Sequence, residues 1–140
     1  MTAGYSGSSQ ARKIGLKDGL SVQVLGRPEG WDFDDPPPVH LVGPRTKIAD
    51  IIVAFYSNPA VFLRKLDALG QTVFPNGMIW ILWPRKAGGH VSDMDENLIR
   101  DAALERGLVD VKVAAIDNDW SGLKLVWRKE HRTGAASPGR

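Results

Sequence analysis

Asp50-Ile51-Ile52-Val53-Ala54-Phe55-Tyr56 and, further along, Met78-Ile79-Trp80-Ile81-Leu82-Trp83 are the two stretches that decide the fold. Each is a short apolar run rich in β-branched and aromatic residues. Neither alternates with polar residues, so each predicts a strand buried on both faces, as in a parallel sheet packed between helices. The segment between them reads as one helix. Asn58 supplies an N-cap and Pro59 the first helical position, where the missing N–H of proline costs nothing. Phe62, Leu66, Leu69 and Val73 then recur along one stripe of a 3.6-residue period. Pro75-Asn76-Gly77 turns the chain. A strand, a crossover helix and a strand predict that the two runs lie side by side, parallel and central.

Working outward, Leu20–Leu25 and Val39–Val42 read as strands, preceded by a short helix over Ser9–Leu16 with Ala11, Ile14 and Leu16 as its apolar contacts. Gly26–Pro38 is full of breakers. On the other side, Ser92 with Asp95 fits a capping pattern, and Leu98, Ile99, Ala102 and Leu104 give the next helix a narrow apolar face, ended by Gly107. Val109–Ile116 and Leu123–Arg128 are the last strands. Asp117–Gly122 between them reads as a hairpin loop, too tight for a crossover, so this pair is antiparallel. The expected class is α/β: a small three-layer Rossmann-like fold, a mostly parallel sheet with a C-terminal antiparallel hairpin. The arrangement is similar to that of Rossmann-like methyltransferases, which implies the strand order 2-1-3-4-6-5. Gly26–Asp50 is too short for two further strand–helix units, so a reduced version is expected. Residues 1–8 are expected to be a flexible segment, 9–130 one domain and 131–140 a disordered tail.

Composition excludes several chemistries. The 140 residues include no cysteine, so disulfides, thiolate zinc sites and thiol nucleophiles are out. No apolar run is long enough to span a membrane. No signal peptide is read in Met1–Gln10, and a cytoplasmic location is expected. Eighteen Lys+Arg against sixteen Asp+Glu leave +2, too little to argue for nucleic acid. His40, His90 and His131 stand alone, so no metal site is expected. Ser57 and Ser121 have no histidine at a motif spacing, and no catalytic residue is assigned.

Several motifs carry a family resemblance. Gly4-Tyr5-Ser6-Gly7, Lys13-Ile14-Gly15-Leu16-Lys17-Asp18-Gly19, Trp83-Pro84-Arg85-Lys86-Ala87-Gly88-Gly89, Gly107-Leu108-Val109-Asp110 with Lys112-Val113, and Trp120-Ser121-Gly122-Leu123 resemble bacterial proteins grouped as domain of unknown function 3052. The resemblance implies one compact intracellular domain of bacterial, actinobacterial-type origin. It implies no activity and no catalytic residue.

Ligands of open α/β sheets bind outside the carboxyl ends of the parallel strands. That rule selects Gly26–Gly30, Tyr56–Pro59, Trp83–Lys86 and Asp117–Trp120. The first has two glycines, but Pro28 removes a donor and Arg27 adds bulk. No G-x-G follows a strand, and the short strand ends in Gly43-Pro44 where an acidic ribose contact is usual. No cofactor is therefore expected. Asn58-Pro59 matches the Asn-Pro-Pro-aromatic motif of amino-group methyltransferases poorly, because Ala60 and Val61 follow. Arg85 and Lys86, with Arg27, are candidates to hold a carboxylate or phosphate, against the simpler reading of a solvated loop. Asp117, Trp120 and Ser121 are candidates for a polar lip, against that of a hairpin turn. The functional expectation is a non-catalytic module that binds a partner protein or a small anionic ligand at this edge. The alternative is a degenerate S-adenosylmethionine-dependent enzyme of the methyltransferase kind.

Overall fold

Every residue of β3 (Ile51–Phe55) is buried, and its neighbour β4 (Met78–Pro84) is buried at its five inner positions. The computed structural model describes residues 9–89 and 92–132. β3 and β4 are parallel, with Ile52 beside Ile79 and Ala54 beside Ile81. α2 (Pro59–Val73) joins them, and its predicted stripe of Phe62, Leu66, Leu69 and Val73 is buried. Asn58 caps it, accepting from the backbone N–H groups of Ala60 and Val61 at 2.9 and 3.3 Å. Asn58→Ala is expected to cost ~1 kcal/mol, read as a lowered urea midpoint at unchanged slope.

The remaining elements are α1 (Gln10–Ile14), β1 (Ser21–Leu25), β2 (His40–Val42), α3 (Glu96–Glu105), β5 (Leu108–Ala115), β6 (Trp120–Trp127) and α4 (Lys129–Arg132), with a 3-10 turn at Lys86–Gly88. The six strands run in the order β2-β1-β3-β4-β6-β5. β6 is antiparallel to both its neighbours and the other pairs are parallel. This is the expected reduced methyltransferase-like α/β arrangement. The β1–β2 and β2–β3 connections carry no helix.

Side chains alternate between two cores. On one face Ile52, Ile79, Ile81, Leu123 and Leu125 pack with α2 and α3. On the other, Val22, Ile51, Val53, Trp80 and Leu82 pack with α1 and with Trp31 and Phe33 of the β1–β2 loop. Two buried tryptophans tie the layers. Trp80 Nε1 donates to Ile14 O at 2.7 Å, and Trp127 Nε1 donates to Gly70 O at 2.8 Å. A Cβ on Gly70 would lie 3.0 Å from the Trp127 ring, so a helix glycine makes that approach possible.

Several details differ from expectation. α3 is capped by Asp95, whose side chain accepts from Leu98 N at 2.8 Å. Ser92 instead donates to Ser57 O and accepts from Met94 N. Ala103 joins the buried face of α3 and Leu104 is exposed. The hairpin turn is tighter than Asp117–Gly122, because β6 already begins at Trp120. At the C-terminus, His131 and Arg132 belong to α4: the His131 ring lies edge-on to Trp127 and Arg132 Nε donates to Trp127 O. Residues 1–8 and 133–140, expected to be loose ends, lie outside the described residues.

Candidate functional site

Three of the four carboxyl-edge loops, Tyr56–Pro59 not among them, are tied together at Asp117. Its Oδ1 accepts from the N–H groups of Asp119 and Trp120, both at 2.9 Å, closing the β5–β6 turn. Its Oδ2 accepts from Trp31 Nε1 of the β1–β2 loop at 3.0 Å. Its carbonyl accepts from Arg85 Nη1 at 2.9 Å, while Arg85 N donates to Asp119 O. Asp117 and Arg85 thus act on each other and on the loops around them. Lys86 is exposed at the start of the 3-10 turn. Arg27 lies 3.7 Å from Asp32 in its own loop, both largely exposed, a contact of little energetic weight. Ser121 is a half-buried β6 residue paired with Trp83 and Ala115.

Aromatic rings fill the second-face side of this edge. Phe55, the last residue of β3, has Trp31 4.8 Å away and Trp120 4.9 Å away, both edge-on, and Phe33 packs on Trp31 at 5.2 Å. Edge-to-face packing of this kind adds to the gain from burial. The backbone seals the same place: Gly26 has φ +69, and a Cβ there would lie 2.9 Å from Phe55 O. Sequence reasoning passed over Trp31 and Phe33. The available signal was two aromatics, Trp31-Asp32-Phe33, inside a stretch otherwise made of breakers.

The first-face side of the edge is open. A cavity of about 350 Å³ lies between the ends of β1 and β3, the middle of α2 and the loop after β2. Leu25, Phe55, Ala68 and Leu69 supply apolar wall, and Thr46, Tyr56 and Lys65 the polar groups. Gln23 is buried in its floor, and its amide donates to Gly43 O and Thr46 O at 2.9 and 3.2 Å, pinning the loop that forms one wall. The cavity exists because the β2–β3 connection brings no helix to stand beside α2.

Burial pushes the Tyr56 phenol up to about 12, so it stays a neutral hydrogen-bond donor throughout the ordinary pH range. The shift also gives a pH signature. Above pH 10.0 the unfolded chain loses this proton while the folded chain keeps it until about 12. The unfolded state then binds fewer protons, so stability falls as pH rises through that window. Tyr56→Phe removes this contribution, and its urea midpoint is expected to fall less steeply than the parent's over that range.

Residues 45–129 match the family model described as Protein of unknown function (DUF3052). The chain belongs to this family. Of the motifs carrying the resemblance, those from Trp83 onward lie inside the match and those before Leu20 lie outside it. No curated protein matches the chain. Solved structures share the fold of this DUF3052 protein. One is a SAM-dependent methyltransferase from Aquifex aeolicus, with TM-score 0.51 and 14% identity over 81% of this chain and 85% of that one. Another is magnesium protoporphyrin IX methyltransferase (ChlM) from Synechocystis PCC 6803 with bound SAM, with TM-score 0.54 and 9% identity over 85% and 74%. A third is ribosomal protein L11 methylase from Lactobacillus delbrueckii subsp. bulgaricus, with TM-score 0.54 and 13% identity over 85% and 75%. At these identities the likeness is one of fold.

The residues at the edge do not fit the cofactor of those neighbours. A nucleoside-bearing ligand wants a glycine turn opening a helix after β1 and an acidic group after β2. Here no helix follows β1, Gly26 closes onto Phe55, and Gly43-Pro44 follows β2. Trp31, Phe33 and Trp120 fill the space beside Phe55.

Proposed function

We propose that this DUF3052 chain is a non-catalytic Rossmann-like binding module, and that the carboxyl-edge cavity takes a small ligand with a compact apolar body and one anionic group. The observation carrying this reading is the division of the strand edge: one side is plugged by the chain's own rings, the other holds a cavity of ligand size. Leu25, Phe55 and Leu69 would receive the apolar body. The Lys65 ammonium would face the anion, with the Tyr56 hydroxyl donating to it. Arg27, next to the wall residue Gly26, adds a cation at the rim. Arg85 and Asp117 hold the loops rather than the ligand, while Lys86 remains available to an acidic partner. A bacterial cytoplasmic setting goes with this reading; no helix among the described residues is long and apolar enough to cross a membrane.

The neighbours' fold favours a second reading, a degenerate S-adenosylmethionine-dependent enzyme. Thermal shift separates the two, with aromatic monocarboxylates such as salicylate as one set of probes and S-adenosylmethionine as the other. A ligand at 100 times its dissociation constant raises stability by ~2.7 kcal/mol. The expected result is stabilisation by the carboxylates, lost in Lys65→Ala and kept in Arg85→Ala/Lys86→Ala. Loss only in the latter pair would move the site to the Trp83–Lys86 loop. Stabilisation by S-adenosylmethionine alone would replace this reading with the second.

A further inference from the structure

A different surface, remote in function from the cavity, lies on the second face of the sheet. There α1 is the only described helix, and it is five residues long. It reaches Trp80 through Ile14 O and the end of β5 through a bond from Lys13 Nζ to Ala115 O at 3.0 Å. The amino-terminal half of β5 and the carboxyl-terminal half of β6 have no described helix on this face.

What shows there is cationic. Lys124 is in register with Trp80 on one side and with Lys112 on the other, and Trp80 belongs to the second-face core. The lysine pair is a product of a bulge. β5 gains a residue between Asp110 and Lys112. Without that extra residue the alternation would send Lys112 to the face of Asp110, where Arg100 Nε meets Asp110 Oδ2 at 2.9 Å. Bulges re-aim side chains in this way. Like charges directly opposite across a ladder cost stability. Desolvation by burial, and then the charges of Lys112 and Lys17, hold the Lys124 ammonium below the ordinary lysine range. Lys112 Nζ reaches Lys13 O at 3.5 Å. Among the described residues none of Lys17, Lys112 and Lys124 forms an ion pair, and neither 1–8 nor 133–140 contains an Asp or Glu that could fold back onto them.

We propose that this face docks an acidic segment of another protein, whose carboxylates are received by Lys17, Lys112 and Lys124. Charge complementarity fixes the sign of the partner. Its class follows from the donors. The three are lysines, point charges without the guanidinium fork that grips phosphate bidentately, and the paired Val109 and Val126 of the same two strands are half-buried. The net charge of +2 is small for a surface that tracks a nucleic-acid backbone.

The test uses the full chain and a fluorescent oligo-glutamate peptide, followed by anisotropy at low and at physiological ionic strength. The parent is expected to bind, more weakly as salt rises. Lys112→Thr/Lys124→Met is expected to bind at least ~10-fold more weakly while melting at the same temperature or higher, since a like-charge pair is relieved. A purely structural role for the lysines predicts a lower melting temperature instead. Lys112→Arg/Lys124→Arg keeps the charge and should restore binding; failure to restore it overturns the proposal. So does unchanged affinity in Lys112→Thr/Lys124→Met, or absence of binding by the parent at low salt. A short DNA duplex that displaces the peptide at a lower charge concentration than unlabelled oligo-glutamate would also overturn it, in favour of nucleic acid.

Discussion

Ile81→Asp is expected to leave no folded protein, and Ile52→Asp the same. Both side chains are fully buried in the two central strands, within the core that α2 and α3 cover. An aspartate at either place has no cation to meet. It must bury an unpaired charge or take up a proton, and it leaves a polar group among hydrocarbon in both cases. Removing the isoleucine packing adds a further loss. The sum reaches several kcal/mol against a typical total of ~5–15 kcal/mol for a domain. Ile81→Val is the control, expected to cost only ~1 kcal/mol. Circular dichroism of the purified variants reads both. A cooperative melt for Ile81→Asp within a few degrees of the parent would contradict the assignment of these strands to the centre of the core.

Phe55→Ala is expected to cost ~3–5 kcal/mol, the range for deleting a buried aromatic ring. The ring stands between Trp31 and Trp120, so its loss exposes two indoles as well as leaving a hole. Two readouts should move together: the urea midpoint should fall and the folded-state tryptophan emission should shift to the red. A midpoint change below ~1 kcal/mol with unchanged emission would show that the three rings do not form one packed unit. The same variant bears on ligand binding, because Phe55 also lines the open cavity on the other side of the strand end.

The elements that were legible in the sequence are those whose pattern has a single physical solution. An unbroken apolar run such as Ile51–Phe55 must be buried on both faces, and Asn58-Pro59 before a 3.6-residue stripe can only start a helix. Two such runs joined by one helix are expected to lie parallel and side by side, while the order of the strands around them came from the likeness to methyltransferases. Asp95 was harder, because Ser92 offers the same capping chemistry three residues earlier. What decides between them is the Ser57 carbonyl, a tertiary partner that local sequence does not show. Among the candidate site residues, Arg85 and Lys86 were grouped with Arg27, and Asp117, Trp120 and Ser121 were read as a separate lip on the same edge. That Asp117 ties loops of this edge together depends on Trp31, distant in the chain. The cavity beside Tyr56 and Lys65 was illegible for a related reason. It is made by a missing helix, and a short connection shows in sequence only as length.

The extra residue in β5 also bears on how the sheet ends. β5 is an outermost strand of eight residues, and a straight strand of that length would offer a continuous row of backbone donors and acceptors to a second copy. β2, at the opposite side, has only three residues to offer. The bulge at Val111 breaks the row in β5, so an incoming strand could align with one half of it or the other, not with both. Lys112 stands at the break, where an approaching identical strand would bring a second ammonium against the first. Growth of the sheet by edge-to-edge stacking, the first step toward aggregation, is therefore discouraged at each end by a different device, shortness at β2 and interrupted register at β5.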